Sequence, residues 1–294
     1  MRIPPSGPDP ITPDAGEPAE ALPSCGLDAP ADAQRRFGGL ERLYGPRAVA
    51  ALAQAHVAVA GIGGVGSWCA EALARSGVGG LTLIDMDHVA ESNVNRQLHA
   101  LTDTLGQSKV NAMAARVHGI NPACRLRLAD DFVTPGNVAE LLAPGLTLLV
   151  DCTDQAQAKI AMILETRRRG LPIVVCGGAG GKTNVLALRA GDLSQALNDA
   201  LLAKLRNTLR RRHGFAKASD QAGKPRRRVP RMGVRTLWFD QPAILPAQWR
   251  GGEAGEAPQG LSCAGYGSAV TVTASMGMAA AGEAIHWLLN GRFA

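Results

Sequence analysis

VAVAGIGGVGSWCAEAL, at residues 57–73, contains a short apolar run, a glycine turn and a helical pattern in immediate succession. In an α/β protein this order predicts a strand of a sheet, a phosphate-binding turn and the helix that follows it. Glycines let the chain turn tightly and let its backbone approach a phosphate at the helix N-terminus. Gly61, Gly63 and Gly66 fit the pattern G-x-G-x-x-G, and Gly64 occupies one of its variable positions.

The next segment, LTLIDMDHVAESNVNRQ at 81–97, begins with a strand pattern that ends in Asp85, 19 residues past Gly66. An acid at about that distance hydrogen-bonds a ribose hydroxyl in nucleotide-binding α/β folds. The glycine turn and Asp85 fit a dinucleotide-binding dehydrogenase equally well. Arg96 and Lys109 favour a nucleoside triphosphate instead, because two cations that follow Asp85 closely in the sequence suit the phosphates of ATP better than the neutral nicotinamide of NAD. Both cations are expected to face solvent in the empty site.

The string DMD-x5-N-x-N-R-Q at 85–97, followed by Lys109, resembles a motif of the adenylating superfamily of ubiquitin-activating enzymes and of the bacterial thiamine and molybdopterin sulfur-transfer adenylyltransferases. The string CTDQ at 152–155 is similar to the metal-proximal segment of that superfamily. The resemblance implies that ATP binds here, that Asp154 holds Mg²⁺, and that Arg96 and Lys109 contact the phosphates and act in catalysis. It also implies that two residues orient the nucleotide, Asn93 and Gln97.

Within this superfamily, further strings are similar to those of the tRNA threonylcarbamoyladenosine dehydratases. The resemblance implies that the substrate is the threonylcarbamoyl adenosine beside the anticodon of tRNA. Its carboxylate would attack the α-phosphate of ATP, pyrophosphate would leave, and an acyl-adenylate would form. The substrate's own carbamoyl group would then close a ring and expel AMP. The strings are RFGGLERLYG at 36–45, GIGGVGSW at 61–68, DDFVTP at 130–135, GGAGGK at 177–182 and AKLR at 203–206.

The resemblance also assigns roles outside the nucleotide motifs. Arg36 matches the position from which the family supplies an arginine across a homodimer interface, and its neighbour Arg35 stands as an alternative. The glycine loop at 177–182 is expected to line the substrate pocket and is a candidate site for a monovalent cation. Cys263 stands open as an acyl acceptor, as a thiol in relay with a sulfur-transfer partner protein, or as a packed small residue; the last is commonest for a lone cysteine.

Two other classes of function stay open. One is an adenylyltransferase that activates the C-terminus of a ubiquitin-like sulfur carrier protein, and the other is a non-catalytic nucleotide-binding scaffold. The six cysteines form no C-x-x-C pair. Structural zinc is therefore not expected, and a reduced, cytosolic setting is favoured over a disulfide scaffold. The lack of these pairs argues against the sulfur-carrier class, many members of which bind zinc through them.

Strand and helix patterns alternate from residue 57 to 176, which predicts an α/β fold with a doubly wound, mainly parallel sheet and a Rossmann-like ATP-binding half. Residues 1–34, rich in proline, alanine and acids, are expected to form a disordered tail. One helix is expected over Leu40–Gln54. For the apolar stretch Ala269–Leu289 a buried helix is favoured, and peripheral association with a membrane surface stays open. A single adenylating domain, 35–294, is expected in three parts: a nucleotide-binding core at 35–190, a basic insertion at 191–235, and a C-terminal strand and helix at 236–294.

Positive charge is concentrated at 204–235. This segment has twelve lysine or arginine residues and one acid, a formal charge of +11, which leaves −5 for the rest of a chain whose net charge is +6. A helix pattern over Asn198–Arg212 precedes a loop rich in glycine and proline at 223–230. Such a local cationic face is typical of a polyanion-binding surface. It therefore agrees with tRNA as the partner, against the alternative of a solvated loop.

Overall fold

A seven-stranded sheet forms the centre of the computed structural model, which describes residues 32–220, 222–224, 226–245 and 263–294. Neighbouring strands run parallel, except at one edge, where the last two pair antiparallel. The strands are β1 His56–Ala60, β2 Gly80–Ile84, β3 Arg125–Ala129, β4 Leu148–Asp151, β5 Ile173–Cys176, β6 Leu188–Asp192 and β7 Arg235–Phe239. Their order across the sheet is β3-β2-β1-β4-β5-β7-β6.

The helices connect these strands and cover the sheet. They are α1 Ala33–Phe37, α2 Gly39–Tyr44, α3 Ala48–Gln54, α4 Gly66–Arg75, α5 Lys109–Ile120, α6 Val138–Leu141, α7 Ala156–Arg169, α8 Ala200–Arg212, α9 Cys263–Tyr266 and α10 Val270–Asn290. Four single turns of 3₁₀ helix lie at Glu91–Asn93, Thr102–Thr104, Val185–Ala187 and Leu193–Gln195.

Both faces of the sheet are buried, which explains why its central strands are almost continuously apolar. One face packs with α4, α5 and α10 in a hydrophobic core that includes Leu73, Met113 and Met276. The other face packs with α6, α7 and α8 in a second core that includes Met162 and Leu205. The prediction of a doubly wound, mainly parallel α/β sheet is thus confirmed.

The strand order reverses next to β1, because β2 and β3 continue to one side of it while β4 and β5 lie on the other. A crevice opens at such a point, outside the carboxyl ends of the strands, and ligands of open α/β sheets bind there. The glycine turn between β1 and α4 lies at this crevice. The fold therefore places the turn, Asp85 after β2 and Asp154 after β4 at the same edge of the sheet.

The single helix expected over Leu40–Gln54 is wrong, because the chain forms two helices there, α2 and α3. The break occurs at Gly45, whose φ of 102° lies outside the helical region. Pro46 follows it and disfavours a helical conformation in the residue before it. The apolar periodicity on both sides of the break concealed it in the sequence.

The predictions for the two ends of the chain have different outcomes. The expected disordered tail lies outside the described residues up to position 31, and α1 begins at Ala33, inside the range given to that tail. The C-terminal apolar stretch forms α10, whose residues Val272 and Ala280 are fully buried. No helix in the described part of the chain combines the length and apolar character needed to cross a membrane.

The segment between β6 and β7, residues 193–234, contains most of the clustered basic residues and is called the basic excursion. One carboxylate at the end of β6 holds it in place. Asp192 Oδ1 accepts hydrogen bonds from the backbone N–H groups of Ser194 (2.9 Å) and Met232 (2.8 Å), and its Oδ2 accepts from Gly233 N–H (2.7 Å). Burial alone would raise the pKa of Asp192, but these hydrogen bonds outweigh it and the pKa is lowered. The start and the end of the excursion are therefore tied to the same residue.

Replacing this anchor should destabilise the fold. Asp192→Ala leaves three backbone donors without their acceptor, at a cost of about 1–3 kcal/mol in the free energy of unfolding. Because the folded pKa is lowered, the stabilisation by Asp192 is present above the ordinary carboxyl pKa and is lost as pH falls below it. Urea denaturation at pH 7 measures the loss. Asp103→Ala, which removes an exposed carboxylate, is the control, and equal stabilities for the two variants would contradict the assignment.

Candidate active site

A cavity of about 450 Å³ lies at the carboxyl ends of the parallel strands, in the crevice beside β1. Two site residues named from the sequence, Gly66 and Arg36, are not part of its lining. The structure brings the others together from five separate segments of the chain. Those that line the cavity are Gly61, Gly63, Gly64, Asp85, Asn93, Arg96, Gln97, Lys109 and Asp154.

The glycine turn is shaped by close backbone contacts. Gly61 has a φ of 83°, in the region that favours glycine, and a side chain there would lie 2.9 Å from the backbone of Cys152. A side chain at Gly66 would lie 1.8 Å from the carbonyl oxygen of Gly61. Gly66 is therefore required for the packing of α4 against the turn, whereas Gly63 and Gly64 line the cavity itself.

Asp85 joins the end of β2 to this turn. It is 9% exposed, and its Oδ2 accepts a hydrogen bond of 2.6 Å from the backbone N–H of Ile62. Its Oδ1 accepts one of 2.9 Å from the backbone N–H of Asp87. Burial raises the pKa of Asp85, and the nearby Lys109 ammonium opposes the increase. The carboxylate thus lines the cavity while holding the turn in place.

The two cations of the motif have different environments. Lys109 is buried, with its Nζ 2.6 Å from Asp87 Oδ2, so the expectation that it faces solvent is wrong. The reason is that it begins α5, whose first N–H also donates to the Asp87 carbonyl at 3.0 Å. Arg96 is half-buried, and its Nη1 donates to Ser92 O at 2.8 Å and to Asn95 Oδ1 at 3.0 Å. Asp87 therefore fixes the position of Lys109.

Asn93 and Gln97 lie one helical turn apart and are both buried. Asn93 Oδ1 accepts a hydrogen bond of 3.1 Å from the backbone N–H of Ala90, and its carbonyl accepts from Gln97 N–H at 2.9 Å. Gln97 Oε1 has no hydrogen-bond partner within the described part of the chain. The residue itself lines the cavity.

Asp154 is exposed at the mouth of the cavity, in a segment held by a buried ion pair. Lys159 Nζ lies 3.0 Å from Asp151 Oδ1, and neither side chain is exposed to solvent. The same oxygen accepts from the backbone N–H and the hydroxyl of Thr153, at 3.0 and 2.7 Å. Asp151 is thus committed to holding the loop, and Asp154 is left free to face the cavity. Over the residues the structure describes, no group of three or more histidine, cysteine or acidic residues is arranged to hold a metal by itself.

One cysteine side chain lines the cavity beside the glycine turn, and a second lies behind it. Cys152 lines the cavity, and its Sγ lies 3.9 Å from Cys176 Sγ. The hydrogen bond with Cys152, together with burial, raises the pKa of Cys176 well above that of an ordinary thiol. A thiol in this state is a packing group and a poor nucleophile. The side chain of Cys263 lies outside what the structure describes.

The glycine loop 177–182 separates this cavity from a second one. Gly177 and Ala179 line the first cavity, and Gly178 lines the second. Lys182 is 4% exposed, and its Nζ donates to the carbonyls of Asn198 (2.8 Å) and Gln241. Its charge is therefore directed at backbone carbonyls rather than at a phosphate.

Arg36 and Arg35 both lie on α1, away from the cavity lining. Arg36 Nη1 donates to the carbonyl of Ile120 at the end of α5, at 2.8 Å. Arg35 pairs at 3.0 Å with Asp32, which also caps α1. A role for either arginine in the site would therefore require a second copy of the chain.

Several lining residues were missed by the sequence analysis. Phe132 and Val133 form an apolar wall from the loop after β3, and their place after a strand next to β2 was the signal that could have found them. Thr273 comes from α10 and its hydroxyl lies 3.4 Å from the Arg96 carbonyl, 177 residues away. No local pattern announces such a contact, because only tertiary packing creates it.

Comparisons with known proteins agree with this geometry. The model of the ThiF family matches residues 37–292. A protein of Escherichia coli (strain K12) described as "tRNA threonylcarbamoyladenosine dehydratase" is 43% identical over 258 residues, which is 86% of this chain and 92% of that protein. The E. coli tRNA N6-threonylcarbamoyladenosine dehydratase has been solved in complex with ATP and in complex with AMP. Each structure superposes with a TM-score of 0.76 at 39% identity and covers 89% of this chain and 97% of its own.

The buried pair under the site makes a sharp prediction for stability. Lys159→Met leaves the Asp151 carboxylate buried without its cation, and the free energy of unfolding should fall by about 3–5 kcal/mol. Adding Asp151→Asn should restore part of the loss, since the amide carries no charge. Urea denaturation measures both variants.

The control for this prediction lies on the same helix. Arg168→Met removes an exposed arginine 2.7 Å from Glu165, which keeps its second ion pair, with Arg169, and the change should cost less than about 1 kcal/mol. A cost for Lys159→Met no larger than that for Arg168→Met would show that the buried pair does not hold the segment.

Proposed function

The chain belongs to the ThiF family, and we propose that it is the ATP-dependent enzyme that dehydrates, and thereby cyclises, threonylcarbamoyladenosine in tRNA. One observation carries the proposal. The glycine turn, the ribose-type acid Asp85, the cations Arg96 and Lys109, and the exposed carboxylate of Asp154 face a single cavity. The chain also spans nearly the whole length of the E. coli dehydratase to which it is similar.

In the proposed complex, ATP lies across the crevice with its phosphates at the glycine turn. Backbone N–H groups at the start of α4 favour the phosphate charge there. The carboxylate of Asp85 binds the ribose hydroxyls, since it lies at the end of the neighbouring strand. Phe132 and Val133 offer apolar surface for the adenine. Gln97 Oε1, which is buried without a partner in the described chain, provides a hydrogen-bond acceptor at this site.

Charge stabilisation accounts for the first chemical step. The substrate carboxylate attacks the α-phosphate, the bond to the β-phosphate breaks, and negative charge develops on pyrophosphate. Lys109, held by Asp87 at 2.6 Å, and Arg96 are positioned beforehand, so little reorganisation is needed when that charge develops. Asp154 would hold Mg²⁺, a hard cation that prefers carboxylate and phosphate oxygens and would neutralise the same charge.

The second step needs no residue that forms a bond with the substrate. The substrate's carbamoyl group attacks the activated carbonyl carbon, a ring closes, and AMP leaves with the oxygen that the carboxylate has lost. ATP thus becomes AMP and pyrophosphate, and the substrate loses the elements of water. The pKa of Cys152, the cysteine that lines the cavity, is raised well above that of an ordinary thiol, which makes it a poor nucleophile and agrees with a route that needs no thioester. The protein contributes positioning and charge.

We also propose that the active form is a homodimer in which Arg36 reaches the cavity of the partner copy. Arg36 is exposed, and within the described part of the chain its guanidinium donates to a backbone carbonyl and forms no ion pair. Arg35 is instead tied to Asp32, which holds it along α1. This difference favours Arg36 as the residue available to a second copy.

The tRNA surface is proposed to lie on α8 and on the loop that follows it. Leu202, Leu205 and Leu209 turn inward. Arg211 and Arg212 at the end of α8 are exposed, whereas Arg210 is partly buried. Not every basic residue of 204–235 is available, since Arg235 forms an ion pair of 2.6 Å with Glu283. The exposed residues that remain include Arg211, Arg212, Lys217, Lys224, Arg227, Arg228 and Arg231.

Removing either cation of the cavity should reduce turnover. Arg96→Ala and Lys109→Ala each take away a donor that stabilises charge in the transition state, and each should lower kcat by about a hundredfold or more. Conversion of threonylcarbamoyladenosine in tRNA is measured by mass spectrometry of the nucleosides. Arg116→Ala, which removes a half-buried arginine of α5 outside the cavity, serves as the control. Normal turnover in the two cavity variants would remove the basis for the adenylation mechanism.

The basic surface should govern the salt dependence of tRNA binding. Phosphate contacts release counterions, so affinity should fall steeply as salt rises. Replacing Arg211, Arg212, Arg227 and Arg228 by serine should weaken binding and flatten the dependence by about three to four in the logarithmic slope.

A matched control separates a local surface from net charge. Replacing four exposed arginines elsewhere, Arg42, Arg47, Arg125 and Arg292, changes the net charge equally and should leave most of the slope intact. ATP affinity should be unchanged in both proteins. Two equal slopes would place the tRNA surface somewhere other than α8 and its loop.

A further inference from the structure

A second cavity, of about 560 Å³, lies beside the first and shares two lining residues with it, Asp154 and Gln155. It is formed between the glycine loop after β5 and the first turns of α8. Its volume is that of an ordinary small-molecule pocket, which spans about 300–1,000 Å³. The proposed use of the first cavity for ATP leaves this second space without an assigned ligand.

The wall between the two cavities is held by buried polar contacts. Asp199, the N-cap residue of α8, accepts a hydrogen bond from Gly178 N–H at 2.8 Å through Oδ2 and one from Leu202 N–H at 2.9 Å through Oδ1. Lys182 joins the same loop to the carbonyls of Asn198 and Gln241. The start of α8 and the glycine loop therefore form one connected wall, which fits a preformed binding site.

Two carboxylates and two lysines line this cavity. Asp199 is bound by backbone N–H groups, and Asp154 is shared with the first cavity. Of the two lysines, Lys182 is buried and directed at carbonyls, whereas Lys204 is exposed and has no ion pair within the described part of the chain. Tyr266 adds an aromatic side chain to the lining. An anionic ligand with a flat ring suits this combination of a cation and an aromatic group.

We propose that the second cavity holds the threonylcarbamoyl nucleoside of the tRNA, and that Lys204 pairs with its carboxylate. This inference rests on the proposed function and names its substrate site. The nucleoside would enter unstacked, as nucleotides of single-stranded loops do when proteins read them. Its carboxylate meets the α-phosphate where the cavities join, at Asp154. Lys204 is then a specificity-determining residue, because an unmodified adenosine offers no carboxylate.

The position of Lys204 on α8 supports the assignment. Arg211 follows seven residues later, so both side chains lie on the same helix face, about 10 Å apart along the axis. The same helix therefore presents a cation to the cavity and cations to the phosphates outside it. A nucleotide inserted into the cavity would leave its flanking chain along this face.

The first test fills the cavity. Ala200 is exposed in the first turn of α8 and lines the cavity, so Ala200→Trp adds bulk there without disturbing the core. Without ATP, binding is measured to two anticodon stem-loops that differ only in carrying threonylcarbamoyladenosine or adenosine. The preference of Ala200→Trp for the modified stem-loop should fall by about tenfold or more, with ATP affinity unchanged. Ala115→Trp, at an exposed alanine of α5 that lines neither cavity, should keep the preference.

The second test removes the charge. Lys204→Met should weaken binding of the modified stem-loop by about tenfold, the usual effect of losing one charge-assisted hydrogen bond, and change binding of the unmodified one little. Lys217→Met, which removes an exposed lysine outside the cavity, should weaken both equally. If Lys204→Met also weakens both equally, Lys204 contacts a phosphate and the proposal is overturned.

Different outcomes distinguish an error in the substrate site from an error in the proposed function. If the wild-type protein converts the modified nucleoside while Ala200→Trp and Lys204→Met retain its full preference, the substrate site is elsewhere and the proposed function stands. If the wild-type protein neither prefers the modified stem-loop nor converts it, the proposed function and the substrate site are both overturned.

Discussion

The site depends first on the carboxylate of Asp85. Its hydrogen bond from the Ile62 N–H, at 2.6 Å, joins the end of β2 to the glycine turn after β1. The backbone adds a second link, since Gly61 N–H donates to the Ile84 carbonyl at 2.8 Å. These contacts fix where phosphates can approach the start of α4. An acid that was predicted from its spacing as a ligand contact is thus also what holds the turn in its shape.

Three buried lysines show how the surroundings decide what a cation does. Lys159 neutralises Asp151 and so holds the loop that presents Asp154. Lys182 donates to two carbonyls and holds the wall between the cavities. Lys109 lines the cavity and is paired with Asp87, whose side chain is half exposed, so its ammonium is positioned but not withdrawn from the site. Burial is expensive for a charge, and each lysine is buried together with the oxygens that offset the cost.

Helix α8 links the parts of the proposed reaction. Its N-cap residue Asp199 binds the glycine loop between the cavities, its third helical turn continues toward the basic loop, and its apolar side packs in the core with α7. A tRNA bound along its outer face would therefore rest on an element joined directly to the catalytic crevice. Contact with a polyanion and formation of the wall beside the crevice can in this way be served by one helix.

The sequence by itself determined the parallel sheet from β1 to β5, because hydrophobic periodicity and the placement of glycines are local features that the folded structure retains. The candidate site residues were named from the nucleotide motifs and from the resemblance to a known family. All of them except Arg36 and Gly66 line one cavity, because the carboxyl ends of parallel strands meet at one edge of the sheet. The sequence also located the excess of positive charge. The prediction that Lys109 faces solvent was wrong, because its burial depends on Asp87, a partner 22 residues away. The prediction of one helix over Leu40–Gln54 was wrong because Gly45 and Pro46 interrupt a helix that the apolar period alone would favour.

Only the tertiary structure decided the rest. The contact of Thr273 with Arg96, the antiparallel pairing of β6 with β7, and the second cavity all join segments distant along the chain. Lys182 follows a glycine-rich loop, and its ammonium donates to the carbonyls of Asn198 and Gln241, which lie far from it in the sequence. Such outcomes depend on which groups compete for the same space and the same hydrogen bonds, and that competition is settled by packing rather than by local pattern.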